Sequence, residues 1–539
     1  MKDRFRLVLL LALVCAGLSS AQQSDSVPAS LSSSESGQEN QDSGPSLADL
    51  ARKVRKDHSE DTKMTDEDAK KLFAAVDRIA EFASEDSGFP LHSPVKRRMI
   101  GPDDLEQSAR DNLSKKEYAD RFARSELTMK KFGLLPRNFD LKEFLIKAQR
   151  KDIAAYYDDR TKTISLLDTI PIEQQEAILA HELTHALQDQ NYDLQSWMRP
   201  QTVEPADGES IDGADESSAA RRAVVEGQAT VVYIDYLLAR TGRTVENTPG
   251  IVYRMEDPMV KASVDSQLMH DAPMILREWG AFPYREGLIF EGELLQAGSK
   301  KLAFTDVFAH PPRTTHEVIQ PRAYLDSEKL AAMPIPDVKK ILGDGYELYD
   351  SGNVGELDVR ALLWQLGSRT LADDLSKNWH GGAYVALRKK ASGAAAASDL
   401  KLLYISRWST AEAARRFAKF YVAAVSRRYQ SVTPNDTDSC SSDDCPVSSA
   451  VIATEEGPVM VDQWKDNTVL VSESFDHATA AKLVSATRDA AQKAASVGAP
   501  YVPQQELGMR FYDVPAFRRF QELVGDEMLR RSDLSQAGN

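Results

Sequence analysis

Residues 180–190 read AHELTHALQDQ, inside the longer apolar run AILAHELTHAL. Residues four apart share one face of an α-helix, so His181 and His185 can present both imidazoles to one point. Glu182 stands one residue round the helix, able to reach a water at that point without being a ligand. Two histidines spaced in this way, with the glutamate after the first, form a zinc-ligand pair and a general base. Histidine is 9 of 539 residues, so chance places the pattern in roughly one such chain in a hundred. The plain alternative is a pair of core histidines beside an accidental glutamate. A bound metal gives buried histidines a reason to be in an apolar stretch, and the motif therefore predicts a buried helix carrying a metal.

A catalytic zinc takes three protein ligands and leaves one position to water. An extension of the motif on the same helix would need glycine at 188 and histidine at 191, but the chain has Gln188 and Asn191. Asp189 lies a further turn along; three ligands from one straight helix converge poorly, and acceptance of a hydrogen bond from a ligand imidazole is the role expected of it. Glu226, in AVVEGQATVV, is a carboxylate amid apolar helical sequence, where burial needs a pair or a metal. Arg222, four residues earlier, offers an intrahelical ion pair instead. We favour Glu226 as the third ligand. Gly227 is unusual in a helix interior, where it costs roughly 1 kcal/mol against alanine; close approach of a neighbouring helix would explain it.

The remaining sequence arranges itself around these residues. DEDAKKLFAAVDRIAEFA has helical spacing at Leu72, Val76, Ile79 and Phe82, and VKRRMIG is a short strand. Two helices flank the break at Gly133–Pro136. DIAAYYDDRTKTISLLD is expected to form a hairpin turning at Asp158–Lys162. Ile170–Pro171 opens the motif helix, which runs to about Gln190. Residues 203–218 form an acidic loop, and a second long helix holding Glu226 ends before Gly242. Residues 255–300 are helical around FPYREGLIFEGEL, followed by a Pro-bounded loop, HPPRTTHEVIQPRAYL. From 336 to 427 the pattern is mixed, with helices at GELDVRALLWQLGSR and TAEAARRFAKFYVAAVSRRY; residues 457–475 form a hairpin turning at Lys465–Asn467. The expected fold class is α+β, mainly α-helical.

The N-terminus has the form of an export signal: Lys2, Arg4 and Arg6, an apolar run from Leu7 to Leu18, and small residues at Ser19 and Ala21. The run is shorter than the roughly 20 residues of a membrane span. Cys15 lacks the small residue expected before a lipidated cysteine. The expected division is a signal peptide at 1–21, a Ser/Gln-rich linker at 22–46 without the apolar content to order itself, a core at 47–335, and a C-terminal region at 336–539. Cys440 and Cys445 can close a surface disulfide in an exported chain. A formal charge of −16 argues against nucleic acid, whose phosphates reward clustered Lys and Arg. Localisation is expected to be exported, either periplasmic or secreted, with no stable membrane span after signal removal.

The paired histidines on one helix and a glutamate on the next resemble the zincin metallopeptidases whose third ligand is glutamate, the gluzincins. LAHELTHALQDQNYDL, EGQAT, FPYREG and PPRTTHEVIQP together resemble a group of exported bacterial zincin-like proteins, over roughly residues 95–475. The resemblance implies a zincin-like core of a motif helix, a preceding β-hairpin and a second ligand-bearing helix. It implies Zn2+ on His181, His185 and Glu226, Glu182 as general base, and a peptide or protein substrate. It also implies an edge strand that pairs with extended peptide, for which TISLLD is the candidate. A donor for the oxyanion is expected among Tyr284, His310, Arg313 and His316, with Tyr284 foremost. The chain departs from the thermolysin-like pattern in having Thr230 four residues after Glu226. A different class of function, a catalytically silent zincin fold serving as an envelope binding protein, fits the same residues.

Overall fold

The structure is a computed structural model, and it describes residues 66–148, 155–167, 172–198, 215–255, 259, 267–330, 333–390, 395–435, 445–496 and 514–531. The expected signal, linker and Cys440 lie outside these residues. Cys445 is disulfide-bonded. Residues from Thr62 to Asn539 cluster as one compact unit, an α+β fold that is mainly helical.

Helix α1 (Asp66–Ser87) buries Leu72, Val76 and Ile79 as the spacing predicts. Strand β1 (Lys96–Ile100) is followed by α2 (Pro102–Ser114), α3 (Lys116–Phe132) and α4 (Leu141–Ala148). Helix α3 stops where Gly133 takes a left-handed conformation at φ 82 and its N–H returns to the helix carbonyls. The hairpin is β2 (Ala155–Asp158) and β3 (Thr163–Leu167), antiparallel. Strand β1 then adds in parallel to the other side of β3, giving the order β1-β3-β2.

That order corrects one expectation. TISLLD is the central strand of this small sheet, so both its backbone edges are taken and it cannot accept a peptide by strand addition. A hairpin read alone leaves each strand one free edge; here the distant β1 claims β3's. The free edge beside the motif helix belongs to β2.

The motif helix α5 (Ile172–Tyr192) and α6 (Asp215–Leu238) pack together, and α7 (Met274–Lys301) packs along α6. The last residues of the expected acidic loop, Asp215–Ser218, are the first turn of α6 rather than loop. Glu216 there suits the positive end of the helix dipole. The Pro-bounded stretch also differs from expectation. It folds as two short helices, α8 (Thr315–Ile319) and α9 (Pro321–Leu325). Thr314 caps the first through the Glu317 N–H, and Pro321 stands in the first turn of the second.

The region after 336 is a seven-stranded antiparallel sheet in the order β4-β5-β6-β10-β9-β8-β7. In chain order its elements are β4 (Tyr346–Asn353), α10 (Glu356–Leu366), β5 (Trp379–Lys389), β6 (Leu400–Trp408), α11 (Ala411–Arg428), β7 (Val432–Asn435), β8 (Ser448–Thr454), β9 (Val459–Gln463), β10 (Thr468–Glu473) and α12 (His477–Ser496). Alternate residues point to opposite faces. Tyr384, Leu402 and Tyr404 join the core that holds α5–α7, whereas Ala383, Val385, Leu403 and Ile405 pack with Leu483 and Val484 of α12. The final helix, α13 (Pro515–Arg531), lies against α7, α4 and α2, and its Phe517, Phe520 and Val524 enter the main core.

Candidate metal centre

Four residues of α5 and α6 meet in the interior: His181 is 3 % exposed, Glu182 6 %, His185 6 % and Glu226 0 %. Helix α6 brings Glu226 across to the motif, 45 residues from His181 in sequence. His181 Nε2 lies 3.0 Å from Glu226 Oε2, His185 Nε2 3.3 Å from the same oxygen, and the two Nε2 atoms are 3.1 Å apart. Ligand bonds of about 2.0–2.1 Å in a tetrahedral site separate donors by about 3.4 Å. The three atoms thus form a triangle slightly tighter than a single cation requires.

The hydrogen-bond network shows how these atoms can hold a cation. Gln228 Nε2 donates to the Ala303 carbonyl at 2.7 Å, so its Oε1 is left to accept from Gln188 Nε2 at 2.8 Å. Gln188 Nε2 also donates to the Val225 carbonyl at 3.0 Å. Gln188 Oε1 must therefore accept, and its partner is His185 Nδ1 at 2.9 Å. This relay, anchored on backbone carbonyls, puts the proton of His185 on Nδ1 and leaves a lone pair on Nε2. That lone pair faces a carboxylate oxygen and a second imidazole nitrogen. A proton on His181 Nε2 can bridge to the Glu226 oxygen or to that lone pair; a cation at the centre of the triangle can take its place as the shared partner of all three atoms, so the donor set fits a divalent metal. His181, Glu182 and His185 themselves place their donor atoms within 4.8 Å of one another.

Electrostatics favour the same assignment. Burial pushes the His181 imidazole down, as does His185, against the bond to Glu226, which favours the neutral, ligating form. Burial alone would raise Glu226; the Arg222 guanidinium and the two imidazoles outweigh it and hold the carboxyl well below the usual range. Arg222 Nη2 is 2.7 Å from Glu226 Oε1, while Oε2 faces the histidines. The ion pair therefore does not exclude a ligand role, because it uses one oxygen and leaves the other facing the histidines.

Burial pushes Glu182 well above the usual carboxylate range, with Glu522 and Glu226 adding to the effect. Its Oε2 accepts the Tyr157 N–H of β2 at 2.7 Å, which ties the glutamate to the free edge of the small sheet. Asp189 does not contact a ligand imidazole. It accepts from Tyr157 Oη at 2.6 Å, Lys162 Nζ at 2.7 Å and the Leu194 N–H at 3.1 Å, so it fastens the hairpin to α5. The expected imidazole partner is one residue away at Gln188, because the hairpin supplies a cation and a hydroxyl on the side where Asp189 projects.

Tyr284 of α7 stacks on His181, with ring centroids 5.9 Å apart and 22° between planes. Burial and the nearby Glu226 charge push its hydroxyl well above the usual range, so it stays a proton donor. The close crossing of α6 and α7 brings it there. A Cβ on Gly227 would lie 2.4 Å from the Gly287 carbonyl oxygen, and one on Gly287 2.3 Å from that of Ala223. Only glycine fits at either position, which accounts for Gly227. Of the other donors considered, Arg313 pairs with Glu317 at 2.5 Å and His316 with Glu356 at 2.7 Å. The His310 carbonyl accepts from Tyr324. None of these three contacts the histidine–glutamate set through a hydrogen bond or ion pair among the described residues. Thr230, where the thermolysin-like pattern has aspartate, donates to the Glu226 carbonyl at 2.7 Å.

Sequence reasoning missed Gln188, Gln228, Tyr157 and the α13 residue Glu522. The two glutamines lie in apolar helical runs, as Glu226 does, and that burial was the signal that could have found them. Glu522 gives no such signal, since α13 is amphipathic and its approach to the site depends on packing.

A family described as a domain of unknown function (DUF8575) matches residues 346–484, about a quarter of the chain. That span is the seven-stranded sheet with its helices and contains none of the metal-centre residues. No curated protein and no solved structure matches the chain.

Proposed function

We propose that this protein is an exported zinc metallopeptidase of the zincin type, with His181, His185 and Glu226 as ligands and peptide or protein as substrate. The observation that carries the reading is the convergence of three donor atoms at 3.0–3.3 Å, with the His185 lone pair directed at their centre and Glu182 beside them. A set of two imidazoles and one carboxylate suits zinc and leaves a position open. Zinc bound there supplies a Lewis acid.

The chain's own residues account for the rest. Glu182, whose carboxylate lies beside the two imidazoles, would take a proton from the attacking water and return it to the leaving amine. Tyr284, held protonated and stacked beside His181, is our candidate donor to the developing oxyanion. Arg222 keeps Glu226 ionised and turned so that one oxygen faces the histidines.

Metal analysis of purified protein, followed by a peptide-library cleavage assay with and without chelator, tests this reading. Glu182→Gln should retain about one zinc per chain and lose cleavage by roughly 100-fold or more; a variant that cleaves at the wild-type rate sinks the mechanism. The depth of the site favours one other reading, a silent zincin fold acting as an envelope binding protein. That reading stands if the wild type holds zinc but cleaves nothing in the library.

A further inference from the structure

A polypeptide substrate needs an open cleft, yet none of the four centre residues is more than 6 % exposed. The residues that close the site come from the far end of the chain. Helix α13 places Glu522 Oε1 3.3 Å from Arg222 Nη2, the same nitrogen that holds Glu226. The second oxygen, Glu522 Oε2, is buried with no hydrogen-bond partner. Gly525 lies against the Tyr284 ring, where a Cβ would come 2.0 Å from Cζ. Arg518 reaches Asp159, in the turn after β2, at 3.1 Å. Between β2 and α13 there remains a cleft of about 30 Å³, lined by Tyr156–Arg160 from one side and Pro515, Arg518, Arg519 and Glu522 from the other. That volume corresponds to a water or two.

We propose that α13 is an autoinhibitory roof: it fills the space beside the free edge of β2, and polypeptide reaches the metal centre only when this helix is displaced. The inference rests on the metallopeptidase reading and concerns the regulation of that same site. Displacement would expose Arg222, Glu182, Tyr284 and the β2 edge together, because α13 touches or lines the approach to each. A carboxylate drawn to Arg222 by its charge and left half-satisfied is a contact that an incoming substrate carboxylate or carbonyl can replace.

A Cβ on Gly280 of α7 would lie 3.4 Å from Val524 Cβ, just under the roughly 3.5–4.5 Å that disulfides span and within reach of a small shift. The full chain carrying Gly280→Cys and Val524→Cys can therefore be locked by oxidation. Metal-free protein is treated with diethyl pyrocarbonate, and modification of His181 and His185 is followed by mass spectrometry, with wild type under the same reductant as control. The oxidised form should react at least ten-fold more slowly than the reduced form. Equal rates, or no modification in either form, overturn the roof. Should the double variant not fold, Arg518→Glu, which breaks the contact to Asp159, should speed modification several-fold over wild type; an unchanged rate overturns the roof. Peptide hydrolysis by the zinc-loaded samples separates the two readings. A lock that slows modification in a protein that hydrolyses nothing upholds the roof and refutes the peptidase. Hydrolysis at equal rates with and without the lock does the reverse.

Discussion

Among single residues, Gln188 and Gln228 set what His185 can do. Neither could be a metal ligand of the expected type, yet their amides run from His185 to the Ala303 carbonyl and fix the imidazole proton on Nδ1. Partners of this kind typically change metal affinity by 10–100-fold. Gln188→Ala should weaken zinc binding by that order while leaving the helix content unchanged, measured by competition with a chromophoric chelator. A second residue-scale expectation concerns Asp235 of α6. Burial, together with the neighbouring Asp86 carboxylate, pushes its pKa up to about 8. An acid whose folded pKa lies above its unfolded value near 3.9 favours folding when protonated. Its contribution is complete below about pH 4 and is lost as pH rises towards 8. Asp235→Asn keeps an acceptor for the Val245 N–H and removes the titration. The variant should gain on the wild type by a few kcal/mol between pH 4 and 8, with no further gain above 8, as read from urea melts across pH.

At the scale of elements, the crossing of α6 and α7 positions Glu226 and Tyr284 together. The backbones meet at Gly227 and Gly287, each of which would drive a Cβ into the opposite carbonyl. Gly227→Ala should destabilise the protein by about 3 kcal/mol and, on the metallopeptidase reading, reduce zinc content, because the strain falls one residue from Glu226. Thermal melts with metal analysis check both; an unchanged melting temperature would contradict the crossing. The small sheet works similarly. Its hairpin is fastened to α5 through Asp189, Tyr157 and Lys162, and this brings the Tyr157 N–H to Glu182.

Across the whole molecule, the seven-stranded sheet is joined to the helical part through α3. Phe132, 1 % exposed, packs edge-on against Tyr384 and Tyr404 of β5 and β6, with ring centroids at 5.3 and 5.6 Å. Beside it, Lys131 Nζ reaches Glu456 at 2.8 Å and Ser474 Oγ at 2.7 Å. Phe132→Ala should cost about 3–5 kcal/mol and should lower the melting of sheet and helices together, since one core contains both. A loss confined to the sheet signal would show that the parts unfold separately. Among the described residues no helix is long and apolar enough to cross a membrane.

Local pattern carried far into this protein. Helical spacing located α1 and its buried face, the break at Gly133–Pro136 ended α3, and short β-type runs about polar turns located the hairpins at 155–167 and 459–473. These are short-range effects, set by residues within a turn or a strand of one another. The candidate ligands were legible for a related reason: histidine and glutamate in apolar helical sequence are expensive to bury without a partner. Tertiary packing decided the remainder. Strand β1 made TISLLD central, because sheet order depends on which distant edge arrives and not on the strand's own residues. Asp189 turned to the hairpin and left His185 to Gln188, because the cation and hydroxyl that attract it come from 27 and 32 residues away. The roof over the centre comes from α13, about 300 residues beyond Glu226, and nothing in the amphipathic pattern of a helix names the surface it will cover.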